Sequence, residues 1–519
     1  MILITSASYV NPELQAEFGK IPPSFLPLGS KRLFEQQVRL FNKKHEEVVL
    51  SLPEGYSLDS GDEKKLLELG VRVVYVKDSF NLGQSIVYVM NMLLPIEGSL
   101  SILHGDTLFL DLEYKADQSS FEISKVDTSY NWEYLVDNNQ TFIESDKYSI
   151  EELENYVISG FFNFSHPYEL IKSITSNDYS FINGLRSYSN THNTELVKNN
   201  TWLDFGLSAT YFHSRKSFTT ERTFNSLKIS NGYVTKCSEK VGKLEGEINW
   251  YQNVPNKLAL FVPRFEVVED GKCYKTEYLY LSTLSELYVF GKLPSYVWKQ
   301  IFTSLRVFLN TMHENTSLKS DINFDYKKKS IERLEEFSKS NNIDLNHSWK
   351  LNNVLVGSIT EITNDLDNYL IENKNFSFIH GDLCMSNIMY DFKANAVKVY
   401  DPRGVDFNNE VTPYGKSEYD YAKFMHSVFG LYDFIISGFY KLERDGYDLD
   451  FHIETLPELV ALQNMYKEVF DVKDFTSLYA IMIHLFLSML PLHSDNEKRQ
   501  YALLANAFRL YIDLKGMKI

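Results

Sequence analysis

The stretch His380-Gly381-Asp382-Leu383-Cys384-Met385-Ser386-Asn387, followed by Val397-Lys398-Val399-Tyr400-Asp401, decides how the second half of this 519-residue chain is read. Transfer of a phosphoryl group to a hydroxyl needs one group that orients the nucleophile and accepts its proton. It also needs oxygen ligands for Mg²⁺ on the nucleotide phosphates. The H-x-D-x-x-x-x-N spacing supplies a carboxylate and an amide, and a second carboxylate ends the next strand. Short strands predicted over 376–379 and 397–400 would bring Asp382, Asn387 and Asp401 to one edge. Chance produces any one of these features; the full set in this order points to phosphate chemistry rather than to a turn-rich surface.

The segment resembles the aminoglycoside phosphotransferase and choline kinase family over about residues 221–519. The resemblance implies a bilobal, protein-kinase-like α+β domain over 219–519, with an N-lobe to about 283 and a C-lobe over 284–519. It implies ATP as donor, Asp382 as catalytic base, His380 as a brace for its loop, and Asn387 and Asp401 as Mg²⁺ ligands. Asp401-Pro402-Arg403-Gly404 stands where protein kinases have D-F-G. Lys236, in Val234-Thr235-Lys236, is the expected strand lysine for the ATP phosphates, with Glu247 as its partner and Glu245 as the second candidate. Phe224-Asn225-Ser226-Leu227 precedes Asn231-Gly232 with a single glycine, so backbone amides and the Ser226 hydroxyl are expected to cap phosphate oxygens. Thr276-Glu277-Tyr278-Leu279 reads as the hinge at which backbone groups meet adenine. A helix is expected over 297–312, while Leu287, Val289 and residues 432–440 read as core. Acceptor recognition is expected within 406–519, with Asp406, Asp420 and Tyr421 as candidates.

The first half alternates short β-type runs, over 2–5, 48–52, 71–76 and 100–103, with amphipathic helical runs. Strand, helix, strand repeated three times implies right-handed crossovers and a Rossmann-like parallel sheet. Ligands gather at the carboxyl ends of such strands, which singles out His104-Gly105-Asp106. A carboxylate there can hold Mg²⁺ against nucleotide phosphates, although Gly-Asp also simply makes turns. Pro22-Pro23-Ser24-Phe25-Leu26-Pro27-Leu28-Gly29, Asn81-Leu82-Gly83-Gln84-Ser85 and Gly105-Asp106, in this order after a first strand, resemble the sugar-phosphate nucleotidyltransferase family over about residues 1–215.

That resemblance implies an NTP and a phosphorylated sugar or small alcohol as substrates. It places Gly83 and Gln84 against the base, with paired amide hydrogen bonds from Gln84 suiting a pyrimidine. Asp106 and Asp204, the latter in Trp202-Leu203-Asp204-Phe205-Gly206, become the metal carboxylates. Ile158-Ser159-Gly160-Phe161-Phe162 resembles the strand beside the acceptor sugar. Two departures stand out: Ser6-Ala7-Ser8-Tyr9-Val10-Asn11 occupies the place of a Gly-rich basic loop, and Ser24 that of a lysine. Lys20 is the candidate replacement for that charge. Residues 113–156 read as an excursion within this domain, whose boundary is expected near 218.

Composition narrows the function classes. With 52 basic and 69 acidic side chains the formal charge is −17, which argues against a nucleic-acid partner, since neutralising phosphates needs a basic face. An apolar share of 44% excludes global disorder. Three cysteines make no disulfide framework and no zinc-type spacing, so a reducing cytoplasm is expected. No stretch reads as a membrane span, and residues 1–5 lack the basic flank of a signal peptide. No G-x-x-x-x-G-K-[ST], H-E-x-x-H or G-x-S-x-G motif occurs, and Gly415-Lys416-Ser417 lacks the first P-loop glycine, Glu410 standing there. The two resemblances describe consecutive steps. Together they imply a bifunctional, Mg²⁺-dependent enzyme that phosphorylates a small alcohol or sugar with ATP and then joins a nucleotidyl group from a second NTP, as in bacterial capsule or other surface-glycan assembly. The alternative is a small-molecule kinase with a non-catalytic nucleotide-binding first domain. The acceptor, whether sugar, polyol, choline or ethanolamine, and the oligomeric state have no readable motif.

Overall fold

The computed structural model describes the chain except for residues 43–45, 127–133, 137–141, 145–155, 217–224, 239–240, 269–271, 318–321, 372–374, 455, 473 and 518–519. The chain forms two compact units, Met1–Phe218 and Thr219–Ile519.

The first unit has a parallel sheet at its core. Ile2–Thr5 pairs in parallel with Val48–Pro53 on one side and Leu100–His104 on the other, and Val48–Pro53 pairs in parallel with Val71–Val76. Val48–Pro53 is buried at every position, as strands covered on both faces are, which is why it reads as an unbroken apolar run. Beyond Leu100–His104 the sheet turns antiparallel: Tyr156–Phe164 pairs with it, Phe162 opposite Ile102, and with Ser119–Lys125. Residues 113–156 are thus more than an excursion, because Ser119–Lys125, Tyr134–Val136 and Phe142–Glu144 belong to the same sheet. Hydropathy does not mark Ser119–Lys125, since Ser119, Ser120, Glu122 and Ser124 are among its buried residues. Phe121, Phe162, Phe164, Phe181 and Tyr188 pack edge to face and tilted beside it, a geometry that adds about 0.5–1.5 kcal/mol per pair beyond area burial.

The second unit begins with a four-stranded antiparallel sheet in the order Asn225–Ser230, Tyr233–Ser238, Cys273–Glu277, Phe265–Val268. Asn231 and Gly232, at φ 51° and 77°, make the left-handed pair that a two-residue hairpin turn requires. Ser226 lies in the first strand, paired with Cys237, and not in a phosphate-capping loop; its side chain falls outside the described residues. Cys237 and Cys273 face each other across adjacent strands and form a disulfide. This corrects the cysteine reading: the two meet only because the strands pair, and the cysteine count no longer argues for a reducing compartment.

A mainly helical portion follows. The helix expected over 297–312 is Ser295–His313, burying Trp298, Ile301, Phe302, Leu305, Phe308, Leu309 and Met312 at helical spacing. The segment Phe475–His493 is long and apolar enough to cross a membrane, contrary to the expectation that no stretch is, yet most of it is buried within the unit. Its helix Phe475–Met489 packs against Tyr326–Asn341, Ser417–Val428 and Glu497–Gly516, so its all-round apolarity is that of a core helix.

Candidate functional site

In the second unit the hairpin Ile388–Asp391 and Ala396–Val399 separates Asn387 from Asp401 in the chain and brings them back together, since its strands pair antiparallel. Tyr400 N–H donates to Asn387 O at 3.1 Å. Lys236 Nζ, on the second strand of the four-stranded sheet, lies 2.7 Å from Glu247 Oε2 and 2.5 Å from Asp401 Oδ1. Glu247 comes from the helix Val241–Gln252, and Tyr274 Oη also donates to it at 2.7 Å. Glu245 is exposed on the same helix and takes no part.

Two glycines allow this meeting. A Cβ on Gly404 would lie 2.0 Å from Gly246 O, and one on Gly246 would lie 2.7 Å from Gly404 O, so any larger residue would push the helix off the segment carrying Asp401. Trp250 Nε1 fixes the same helix by donating to Ile379 O at 2.6 Å. Burial alone would lower the Lys236 pKa, but Asp401 and Glu247 outweigh it and hold it above the usual lysine value. Glu247 is raised by burial and by Asp401, with Lys236 opposing. One buried cation between two carboxylates is thus kept charged.

The loop bearing Asp382 is held from beneath. Asp420, fully buried, accepts the backbone N–H of His380 at 3.0 Å and of Gly381 at 2.8 Å, and contacts His313 Nε2 at 3.1 Å. His380 is also fully buried; its Nδ1 accepts Asp382 N–H at 3.3 Å and its Nε2 lies 3.1 Å from Tyr400 O. Asn387 Nδ2 donates to Asp382 O at 2.9 Å. Lys423 Nζ lies 2.8 Å from Asp382 Oδ1. Burial would raise the Asp382 pKa, but Lys423 outweighs it and holds the carboxyl well below its ordinary value.

Lys423 and the structural role of Asp420 escape sequence reasoning. Their signal is an Asp and a Lys three apart on the helix Ser417–Val428, a spacing that presents both from one face. Three acceptor candidates are corrected. Asp420 is committed to the loop amides. Asp406 caps a turn, accepting N–H from Asn323, Asn408 and Glu410. Tyr421 packs its ring against His313 and Phe470. The hinge reading also changes at Tyr278, whose backbone N–H is donated to Gly232 O at 2.7 Å and so is not offered to adenine.

In the first unit the strands Thr107–Phe109 and Trp202–Asp204 pair antiparallel, Asp204 opposite Thr107, which brings Asp106 and Asp204 together. Phe205 N–H donates to Asp106 O at 2.8 Å. A Cβ on Gly206 would lie 2.8 Å from Asp106 Oδ2 and 3.4 Å from Asp204 Oδ1, so the glycine keeps open the space both carboxylates border. Burial, reinforced by Asp106, pushes the Asp204 carboxyl up to about 7, and its Oδ2 is buried without a hydrogen-bond partner. Two carboxylates with an orphaned oxygen and an open cradle fit a hard divalent cation that brings its own further oxygen ligands.

The other first-unit candidates serve the scaffold. Gly83 is buried where a Cβ would lie 2.1 Å from Tyr179 O. Gln84 Oε1 accepts Asn81 N–H at 2.9 Å and closes a helix cap; this corrects the paired amide reading for a pyrimidine, because the amide oxygen is already used. Ser24, fully buried, donates its N–H to Ser6 Oγ and its hydroxyl to Gly105 O. Lys20 is exposed, its Nζ 4.0 Å from the centre of the Tyr9 ring.

No protein-family model matches the chain, and no curated protein matches it. Among solved structures, a nucleoside-diphosphate-sugar pyrophosphorylase from Vibrio cholerae RC9 is similar at 13% identity, covering 42% of this chain and 100% of that one, with a TM-score of 0.34. A UDP-glucose pyrophosphorylase complexed with UDP-glucose is similar at 14% identity, covering 43% and 98%, with a TM-score of 0.33. The inositol-1-phosphate CTP transferase from T. maritima is similar at 17% identity, covering 42% and 95%, with a TM-score of 0.34. These similarities fall on the N-terminal part of the chain, whose solved neighbours are sugar nucleotidyltransferases.

Proposed function

We propose that the chain is a bifunctional transferase: the second unit phosphorylates a hydroxyl compound with ATP, and the first transfers a nucleotidyl group from an NTP to the phosphorylated product. The carrying observation is Lys236 clamped between Glu247 and Asp401, beside the loop that bears Asp382 and Asn387. In the kinase step Lys236 binds ATP phosphate oxygens and Asp382 orients the acceptor hydroxyl. The hydroxyl oxygen bonds to the γ-phosphorus, the bond from that phosphorus to the β,γ-bridging oxygen breaks with its electron pair leaving on ADP, and the hydroxyl proton passes by way of Asp382 to solvent. Asn387 and Asp401 are the residues that would hold Mg²⁺, which neutralises phosphate charge when bound. In the second step a phosphate oxygen of the product bonds to the α-phosphorus of the NTP and pyrophosphate leaves; Asp106 and Asp204 would hold the cation there. Joining both units in one chain raises the effective concentration of the intermediate.

D382A should abolish ADP formation while leaving pyrophosphate release from an NTP and a supplied phosphorylated acceptor intact; persistent ADP formation would remove Asp382 from the mechanism. The second reading, a first unit that binds nucleotide without turning it over, is favoured by the absence of a basic side chain from Ser6–Asn11. No pyrophosphate release with any NTP across a panel of phosphorylated acceptors would establish that reading in place of the bifunctional one.

A further inference from the structure

Positive charge gathers beside the loop of the second unit that carries Asp382. Lys423 holds Asp382, and two further cations share one ring: Lys329 Nζ lies 3.9 Å from the centre of Phe407, and Arg403 Cζ lies 5.1 Å from it. The stem of Arg403 lies against Gly381, where a Cβ would be 2.8 Å from Arg403 Cβ, so this cation pair adjoins the loop that carries the hydroxyl-orienting carboxylate.

Asp382 favours the charged form of Lys329 only from beyond ion-pair distance, and it is already paired with Lys423. Arg403 donates through Nε to Val405 O at 2.9 Å and through Nη2 to Asp406 O at 3.5 Å, and these carbonyls carry no net charge. Among the described residues no carboxylate lies within ion-pair distance of Lys329 or Arg403. Asp406 and Asp420 are committed to backbone amides. Half-buried Lys329 is held well below the usual lysine range, first by burial and then by repulsion from Arg403 and Lys423, with Asp382 opposing. Half-buried cations gathered without a close counter-ion are costly unless a ligand brings one.

We propose, on the kinase reading above, that the acceptor is an anionic hydroxy compound whose carboxylate or phosphate binds Lys329 and Arg403 beside Phe407 while its hydroxyl meets Asp382. Choline and ethanolamine, which the sequence left open, are thereby excluded, because their ammonium group would face like charge. The product carries the new phosphate ester in addition to the original anion.

The test is Mg²⁺-dependent ADP formation by the full-length protein with charge-matched acceptors: glycerol, glycerate, glycerol 3-phosphate, choline and ethanolamine, then glucose, gluconate, glucose 6-phosphate and glucosamine. Anionic members should exceed their neutral counterparts in kcat/KM by on the order of tenfold to a hundredfold, and the faster of carboxylate and phosphate names the anion. K329M and R403M should erase that preference by raising the acceptor KM while the KM for ATP holds. A neutral or cationic member that outruns every anionic one overturns the proposal. Independently of turnover, inorganic phosphate added with saturating Mg²⁺ and ADP should raise the unfolding temperature of the wild type but not of K329M or R403M; equal shifts in all three, or none in the wild type, overturn it. Phosphate binding of this kind without ADP formation from any acceptor would instead count against the kinase reading and leave the anion site standing.

Discussion

Lys423 Nζ lies 2.8 Å from Asp382 Oδ1, and this ion pair makes the proposed base a weak one. A carboxylate held well below its ordinary range by a neighbouring cation takes up a proton late, which suits orientation of the hydroxyl more than early deprotonation. Removing the cation should raise the Asp382 pKa, so the acid limb of the kcat profile of K423M moves to higher pH. Its kcat should fall by on the order of a hundredfold, within the range of general acid–base effects, while the KM for ATP changes little and K423R keeps the wild-type limb. An acid limb that stays in place in K423M would reduce Lys423 to a packing role.

Gly404→Ala puts a Cβ 2.0 Å from Gly246 O, and that backbone can yield only by moving the helix that carries Glu247. Urea unfolding should show a loss of about 1–3 kcal/mol, as for other overpacked sites, and ATP titration should show weaker binding as Lys236 loses its clamp. Glu247→Gln leaves the helix seated, so it should weaken kcat/KM without a comparable loss of stability.

The repulsion between Asp106 and Asp204 should be visible in metal dependence. In excess EDTA, D204N should unfold at the same temperature as the wild type or higher, because one of two crowded carboxylates is gone. Added Mg²⁺ should raise the wild-type unfolding temperature by more than that of D204N, which keeps both cation ligands only in the second unit. Equal Mg²⁺ shifts in both proteins would place the metal elsewhere.

Glu122, 1% exposed in the strand Ser119–Lys125, offers a pH test of the first unit. Its carboxyl is pushed up to about 7, first by burial, with Asn199 opposing and Glu195 reinforcing. The folded state therefore holds a proton that the unfolded chain releases from about 4.5 upward, so this residue's contribution to stability is lost as pH rises from there to about 7. Glu122→Gln should be more stable than the wild type above pH 7, with the advantage shrinking toward acid; urea midpoints across that range provide the check.

Much of the architecture was legible because its signals are local. The strands Ile2–Thr5, Val71–Val76 and Leu100–His104 carry short branched runs between turn residues, and Ser295–His313 carries its buried face at helical spacing. Ser119–Lys125 was hidden because polar residues are buried along it. Left-handed Asn231-Gly232 is a hairpin signal, and the pairing it closes is what sets Ser226 within a strand.

The sequence by itself determined the strands of the parallel sheet, a helix over 297–312 and the spacing of Asp382, Asn387 and Asp401, since periodicity and motif spacing act over a few residues. Only the tertiary structure decided that Cys237 meets Cys273, that Asp420 holds the loop amides, that Lys423 pairs with Asp382, and that Lys329 and Arg403 share the ring of Phe407. Such contacts join residues far apart in the chain, where no period records them. Charge, moreover, acts through distance and burial in space, so a chain with a net charge of −17 can still gather its cations at one end of a site.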